Sequence, residues 1–199
     1  VAEAMGYRYL DTGAMYRGIA YAYRLDAPED LQAFLDRVPL RFSFEGATRV
    51  FLGEEEISDR VRTPEIALLA SSLSQDTRVR NVLTRMQRAM GKEGGVVVEG
   101  RDTGSVVFPN AEVKFYLDAD LGERAKRRLL EQVARNEESD PEKVKKDMER
   151  RDRDDSERAI APLIRPEGAI YVDTTGKGVE EVVEIVRRHV EQAAGECAE

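Results

Sequence analysis

Gly94-Gly95-Val96-Val97-Val98-Glu99-Gly100-Arg101-Asp102-Thr103-Gly104-Ser105-Val106-Val107-Phe108-Pro109 decides how the rest of the chain is read. Two glycines open a short β-branched run, a charged turn punctuated by glycine ends it, and a second apolar run comes directly after. An uninterrupted apolar run of this length suits a strand buried on both faces, as in a parallel sheet with helices packed on either side. Ligands of such sheets bind beyond the carboxyl ends of the strands, where Arg101 and Asp102 fall.

Upstream, Tyr7-Arg8-Tyr9-Leu10-Asp11 reads as a strand, and the turn Thr12-Gly13 launches a helix over 14–24 for which Thr12 could be the N-cap. Tyr16 and Arg17 fall near its first turn, where free backbone N–H groups favour an anion; either alone reads equally well as a surface residue. Residues 1–6 read as the end of a helix closed by Gly6. A further helix fits 28–37, with Pro28 near its first position and Leu31, Phe34 and Leu35 on one face. The period then changes. Leu40-Arg41-Phe42-Ser43-Phe44 alternates, Glu45-Gly46 turns, Arg49-Val50-Phe51-Leu52 comes next and Glu56-Ile57 closes an antiparallel meander of roughly 25 residues. Thr63-Pro64-Glu65 opens a helix to 72, and another spans 77–90. On composition alone Ser71 and Arg80, in this helix pair, are surface residues.

Downstream, 113–118 is a strand and 121–136 a helix carrying Arg124, Lys126, Arg127 and Arg128. Positions 124, 127 and 128 share a face, which by itself reads as a solvated one. Asp140-Pro141 caps a long polar helix reaching 156, on which Arg151, Asp155 and Arg158 project together at i, i+4 and i+7. Self-paired surface charges explain the same spacing. A strand at 169–173 and an amphipathic helix over 179–193 complete the chain. The fold class is therefore α/β: a parallel sheet with helices on both faces plus a small antiparallel β insert, in one domain.

The 199 residues carry 31 Lys+Arg against 39 Asp+Glu, a net charge of −8. That balance argues against a general nucleic-acid or membrane-surface binder, while the local arginine clusters suit a small anionic ligand. The lone cysteine, Cys197, reads as a solvated tail thiol, and His189 is the only histidine. Neither a Cys/His metal site nor a Ser-His-Asp triad is expected. No apolar run approaches the ~20 residues of a membrane span and no signal peptide is present, so a cytoplasmic protein is expected.

Three segments carry a family resemblance: Leu10-Asp11-Thr12-Gly13-Ala14-Met15-Tyr16-Arg17; Glu99-Gly100-Arg101-Asp102-Thr103-Gly104 with Val107-Phe108-Pro109; and Arg151 through Ala159-Ile160-Ala161-Pro162-Leu163. In this order the chain resembles the bacterial cytidylate kinases, nucleoside monophosphate kinases of P-loop kinase-like fold, over essentially its whole length. The resemblance implies transfer of a phosphoryl group from ATP to CMP or dCMP, with Mg²⁺ on the ATP phosphates; the sequence leaves the oligomeric state open, and a monomer is the default expectation. It implies a single kinase-like domain over 1–199, a CMP-binding insert at 38–90, and a lid with its following helix at 121–158. Carried over by motif, Arg17 and Arg101 grip the CMP phosphate, Thr12 hydrogen-bonds to substrate and Tyr16 shapes the acceptor pocket. Ser71, Arg80, Asp102 and Arg158 face the cytosine; Arg151 and Asp155 lie near the ribose and the transferring phosphate. Arg151, Arg124 and Arg128 take the catalytic role of neutralising phosphate charge. The residue types suit these roles: a guanidinium fork matches two phosphate oxygens, and a carboxylate with nearby donors complements the edge of cytosine.

Two departures stand out. The family often has serine where this chain has Thr12, which keeps the hydroxyl and adds a methyl. No GxxxxGK[ST] loop occurs anywhere in the sequence, so no residue is assigned to an ATP phosphate cradle or to a metal. The expectation is a sequence shortened at its start rather than an evolved loss, and a chain that alone is poorly stable and inactive. Two alternatives are a non-catalytic CMP-binding or partner module and a related kinase with another acceptor.

Overall fold

A computed structural model describes residues 1–44, 47–134 and 140–196. The expected turn at Glu45-Gly46, the end of the helix at Asn136 and the tail thiol of Cys197 lie outside the described residues. The chain forms two compact units, Ala2–Thr103 and a second from Gly104 onward.

The N-terminal unit contains, in order, α1 (Ala2–Met5), β1 (Arg8–Asp11), α2 (Thr12–Asp26), α3 (Leu31–Arg37), β2 (Leu40–Ser43), β3 (Arg49–Leu52) and β4 (Glu55–Glu56). A 3₁₀ turn, Arg60–Arg62, leads to α4 (Pro64–Leu73), α5 (Thr77–Gly91) and β5 (Val96–Glu99). Strands β1 and β5 pair in parallel, with Leu10 opposite Val98 and Asp11 opposite Glu99. The chain leaves β5 directly into Arg101 and Asp102, as the opening stretch predicts. Strands β2, β3 and β4 form the small antiparallel sheet, with Phe42 opposite Val50. Leu10, Met15, Ile19, Phe34, Val79 and Leu83 form one buried cluster, and Ala14, Ala20, Val50, Ile57, Val61 and Ile66 a second. Helix α2 contributes to both, because its small and large apolar residues cover more than one face.

Local cap chemistry sets the helix starts. Thr63 accepts from the Ile66 amide at 3.3 Å with Pro64 in the first turn, as expected. Helix α2 is capped by Asp11 and not by Thr12: the carboxylate accepts from the Ala14 amide at 2.8 Å. Helix α3 starts at Leu31 and not near Pro28, since Asp30 accepts from the amides of Gln32 (2.8 Å) and Ala33 (3.2 Å).

At the junction in sequence, Thr103–Val107 forms a single wide π-type turn, so the second apolar run of the opening stretch is not an extended strand. The C-terminal unit continues with β6 (Phe115–Asp118), α6 (Leu121–Ala134), α7 (Pro141–Glu157), β7 (Ile170–Asp173) and α8 (Val179–Glu196). Strands β6 and β7 pair in parallel, with Leu117 opposite Val172. Asp140 caps α7 by accepting from Glu142 (3.0 Å) and Lys143 (3.4 Å). The architecture is mixed α/β, with two two-stranded parallel sheets flanked by helices and a three-stranded antiparallel sheet. Among the described residues no helix is long and apolar enough to cross a membrane.

Candidate active site

In the N-terminal unit, β1 and α2 meet at a corner that carries Asp11, Thr12, Tyr16 and Arg17. Thr12 is buried and donates its hydroxyl to the Glu99 carbonyl at 2.8 Å. Arg17 Nη2 pairs with Asp11 Oδ2 at 2.9 Å. Its Nε is buried and meets no hydrogen-bond partner. A buried donor without an acceptor is costly, and an anion oxygen at this position would satisfy it.

Arg80 on α5 and Asp102 beyond β5 form an ion pair, Nη2 to Oδ2, with 4% and 6% of each residue exposed. Arg80 Nη1 also donates to the Ser74 carbonyl at 3.2 Å, and the Ser74 hydroxyl donates to the Ser71 carbonyl at 2.7 Å. The guanidinium lies over the Tyr16 ring, 5.8 Å from its centroid. Tyr16, Arg80 and Asp102 are thus brought together, with Ser71 linked through Ser74. Arg101 sits half-buried where the chain leaves β5. On the neighbouring strands, burial and a hydrogen bond to Glu99 push the Tyr9 phenol above its ordinary value, keeping it a neutral donor.

In the C-terminal unit the predicted helical spacing is realised. Asp155 is 6% exposed, with Arg158 Nη1 3.6 Å from one carboxylate oxygen and Arg151 Nε 3.9 Å from the other. Arg158, at the C-cap of α7, donates through Nε to the Ala161 carbonyl at 2.5 Å. Arg124 donates to the Ala119 carbonyl at 3.0 Å and pairs with Asp152 at 2.6 Å, joining α6 to α7. Arg128 pairs with Glu131 at 3.1 Å. Positions 124, 127 and 128 share a face of α6 as expected, and the three side chains take separate partners. Arg127 turns to the end of β7, donating to Thr174 Oγ1 (3.0 Å) and the Thr174 carbonyl (2.6 Å).

Several partners escape a reading by pattern. Asp11 holds Arg17 as well as capping α2; an acidic residue just before Thr-Gly and a helical run is the local signal for such a cap. Ser74 and Asp152 carry no comparable signal, because their partners are set by packing.

Parallel strands flanked by helices define a protein of the α/β class. The comparisons give the particular family. A family model described as cytidylate kinase matches residues 1–192. The chain is 41% identical over 201 residues to the cytidylate kinase of Geobacillus sp. (strain WCH70), covering 98% of this chain and 90% of that protein. It is 43% identical over 198 residues to the cytidylate kinase of Geobacter sp. (strain M21), covering 96% and 85%. It is 39% identical over 199 residues to that of Streptococcus pneumoniae (strain 70585), covering 96% and 89%. The chain belongs to the cytidylate kinase family, and so to the nucleotide-binding transferases.

Proposed function

We propose that this protein transfers the γ-phosphoryl group of ATP to CMP or dCMP, giving CDP or dCDP and ADP. The observation that carries the reading is the buried Arg80–Asp102 pair beside Tyr16. Cytosine presents an amino donor next to ring-nitrogen and carbonyl acceptors, and a carboxylate with guanidinium donors is the matching set. Uracil would turn a carbonyl oxygen toward Asp102.

Arg17, with its buried unsatisfied Nε, and Arg101 are assigned to the acceptor phosphate, with Thr12 as a further hydrogen-bonding group. Ser71 and Arg158 are assigned to the cytosine, and Asp155 and Arg151 to the ribose and the transferring group. An oxygen of the CMP phosphate attacks the γ-phosphorus while the bond to the ADP oxygen breaks, so the protein needs no nucleophile of its own. Its task is positioning and charge neutralisation, the role given to Arg151, Arg124 and Arg128. The insert at 38–90 serves the monophosphate, and 121–158 forms the lid and the helix after it. The protein acts as a cytoplasmic monomer without a nucleic-acid partner.

Mg²⁺ supplies charge neutralisation on the ATP phosphates. Among the described residues no group of three or more His, Cys, Asp or Glu could hold a metal, and the sequence carries no GxxxxGK[ST] loop. None of these residues is assigned to the ion or to the ATP phosphates.

A coupled assay on the complete reading frame containing these residues, with CMP, dCMP, UMP and AMP as acceptors, tests the reading. CMP and dCMP are expected to react at least about tenfold more efficiently than UMP and AMP. Equal efficiency for CMP and AMP would remove the cytosine assignment. CMP binding without turnover would make the protein a CMP-binding module.

A further inference from the structure

Thr48 lies in the segment leading into β3 and is 3% exposed. Its hydroxyl donates to the Tyr9 carbonyl at 2.8 Å and accepts from the Asp11 amide at 2.9 Å. The Arg8 amide donates to the Gly95 carbonyl at 2.9 Å, so alternation along β1 puts the Tyr9 carbonyl and the Asp11 amide on the edge away from β5. One side chain thus makes the two bonds that a further strand would make there.

Through the Asp11 main chain, Thr48 is joined to the anion clamp. Asp11 divides its carboxylate between the Ala14 amide (2.8 Å) and Arg17 Nη2 (2.9 Å). On the same guanidinium, the buried Nε meets no acceptor. The residue after Arg17 is Gly18, where an added β-carbon would lie 2.9 Å from Val50 Cγ1. The start of β3 and the residue before it therefore touch the β1–α2 corner at two points that bracket Arg17 in sequence. One is Thr48 against the Tyr9 and Asp11 main chain, and the other is Val50 against Gly18.

We infer that Thr48 is a positioning residue for the phosphate grip: its hydroxyl fixes the main chain at Asp11, whose carboxylate aims Arg17. The inference rests on the assignment of Arg17 to the acceptor phosphate. Thr48→Val keeps the shape and removes both bonds, leaving the part-buried Tyr9 carbonyl and Asp11 amide without this partner. Serine keeps the hydroxyl. A purely structural Thr48 would change stability and leave discrimination between phosphorylated and unphosphorylated ligand untouched.

The test is calorimetric binding of CMP and of cytidine to wild type, Thr48→Val and Thr48→Ser, with NMR of the Arg17 Nε–H and hydrogen exchange at the Asp11 amide. Thr48→Val is expected to weaken CMP about fivefold to tenfold while cytidine binding changes less than about twofold. Thr48→Ser should restore CMP binding. The Asp11 amide should exchange faster in Thr48→Val, and the Arg17 Nε–H resonance should move. Equal weakening of CMP and cytidine, unchanged CMP binding, or no rescue by serine would overturn the inference. Should wild type bind CMP no better than cytidine, the phosphate assignment of Arg17 fails. The Asp11 exchange and the Arg17 resonance then decide the coupling alone, and no change in either would overturn it.

Discussion

In the N-terminal unit Arg80 and Asp102 meet with side chains 5% and 8% exposed. In the C-terminal unit Arg124 and Asp152 meet with side chains 32% and 35% exposed, and Arg151 reaches Asp155 with half of its own side chain in water. The surroundings explain the contrast. Leu10, Met15, Ile19, Ile57, Ile66 and Leu83 are fully buried in the first unit. The buried apolar residues described in the second are smaller, such as Ala119, Ala125, Val144, Ala169 and Val172. A pair enclosed by large side chains has no water to replace a lost partner, whereas an arginine paired near the surface can exchange its carboxylate for a phosphate at little cost. The first arrangement suits reading a fixed shape such as a base. The second leaves its arginines in contact with water.

The sharpest way to break this contrast is Asp102→Ala, expected to destabilise the protein by about 3–5 kcal/mol in denaturant unfolding, because Arg80 is left buried without its carboxylate. Replacing both, as Arg80→Met with Asp102→Leu, should recover most of that stability and still abolish CMP binding. An Asp102→Ala protein as stable as wild type would show that the burial does not matter. Arg158→Ala comes next. Its side chain is 6% exposed, an exception within its unit, and its loss should weaken CMP in calorimetry by about 1.5–3 kcal/mol. A double-mutant cycle on Arg124 and Asp152 should return a coupling of only about 0.2–1 kcal/mol; a value above about 2 kcal/mol would erase the distinction between the units. The smallest effect is expected at the exposed Glu56, whose carboxyl is held down at about 2, against an ordinary 4.5, by hydrogen bonds from Arg49 and Ser58. Its folded value is the lower one, so its contribution is present above pH 4.5 and is lost as pH falls toward 2. Acid titration of Glu56→Gln should lack that component.

Features set by neighbours in sequence were legible before the fold was known. Thr63-Pro64 and Asp140-Pro141 announce their helices because the capping oxygen and the ring act within one turn. The i, i+4, i+7 spacing of Arg151, Asp155 and Arg158 foretold their shared face. Where two local signals compete, the pattern misleads: Pro28 is a credible first helical residue, yet the Asp30 carboxylate captures the Gln32 and Ala33 amides and starts α3 later. The run Val106-Val107-Phe108 has strand composition, but the chain turns there. Partnerships across long loops left no periodic trace. Arg127 finds Thr174 across 47 positions and Thr48 finds Tyr9 across 39, both through contacts that only the folded chain supplies.

The close packing of Thr12 against β5 has a bearing on how this protein tolerates change. A β-carbon on Gly100 would overlap the Thr12 hydroxyl and crowd the Thr103 methyl. In a saturation library of 99–103 scored for folded yield, position 100 should therefore accept glycine alone. The exposed Glu99 beside it should admit more residues than 100, since Thr12 binds its carbonyl and its side chain makes, among the described residues, only the hydrogen bond to Tyr9. A change at 100 becomes accessible only after smaller residues have replaced both Thr12 and Thr103.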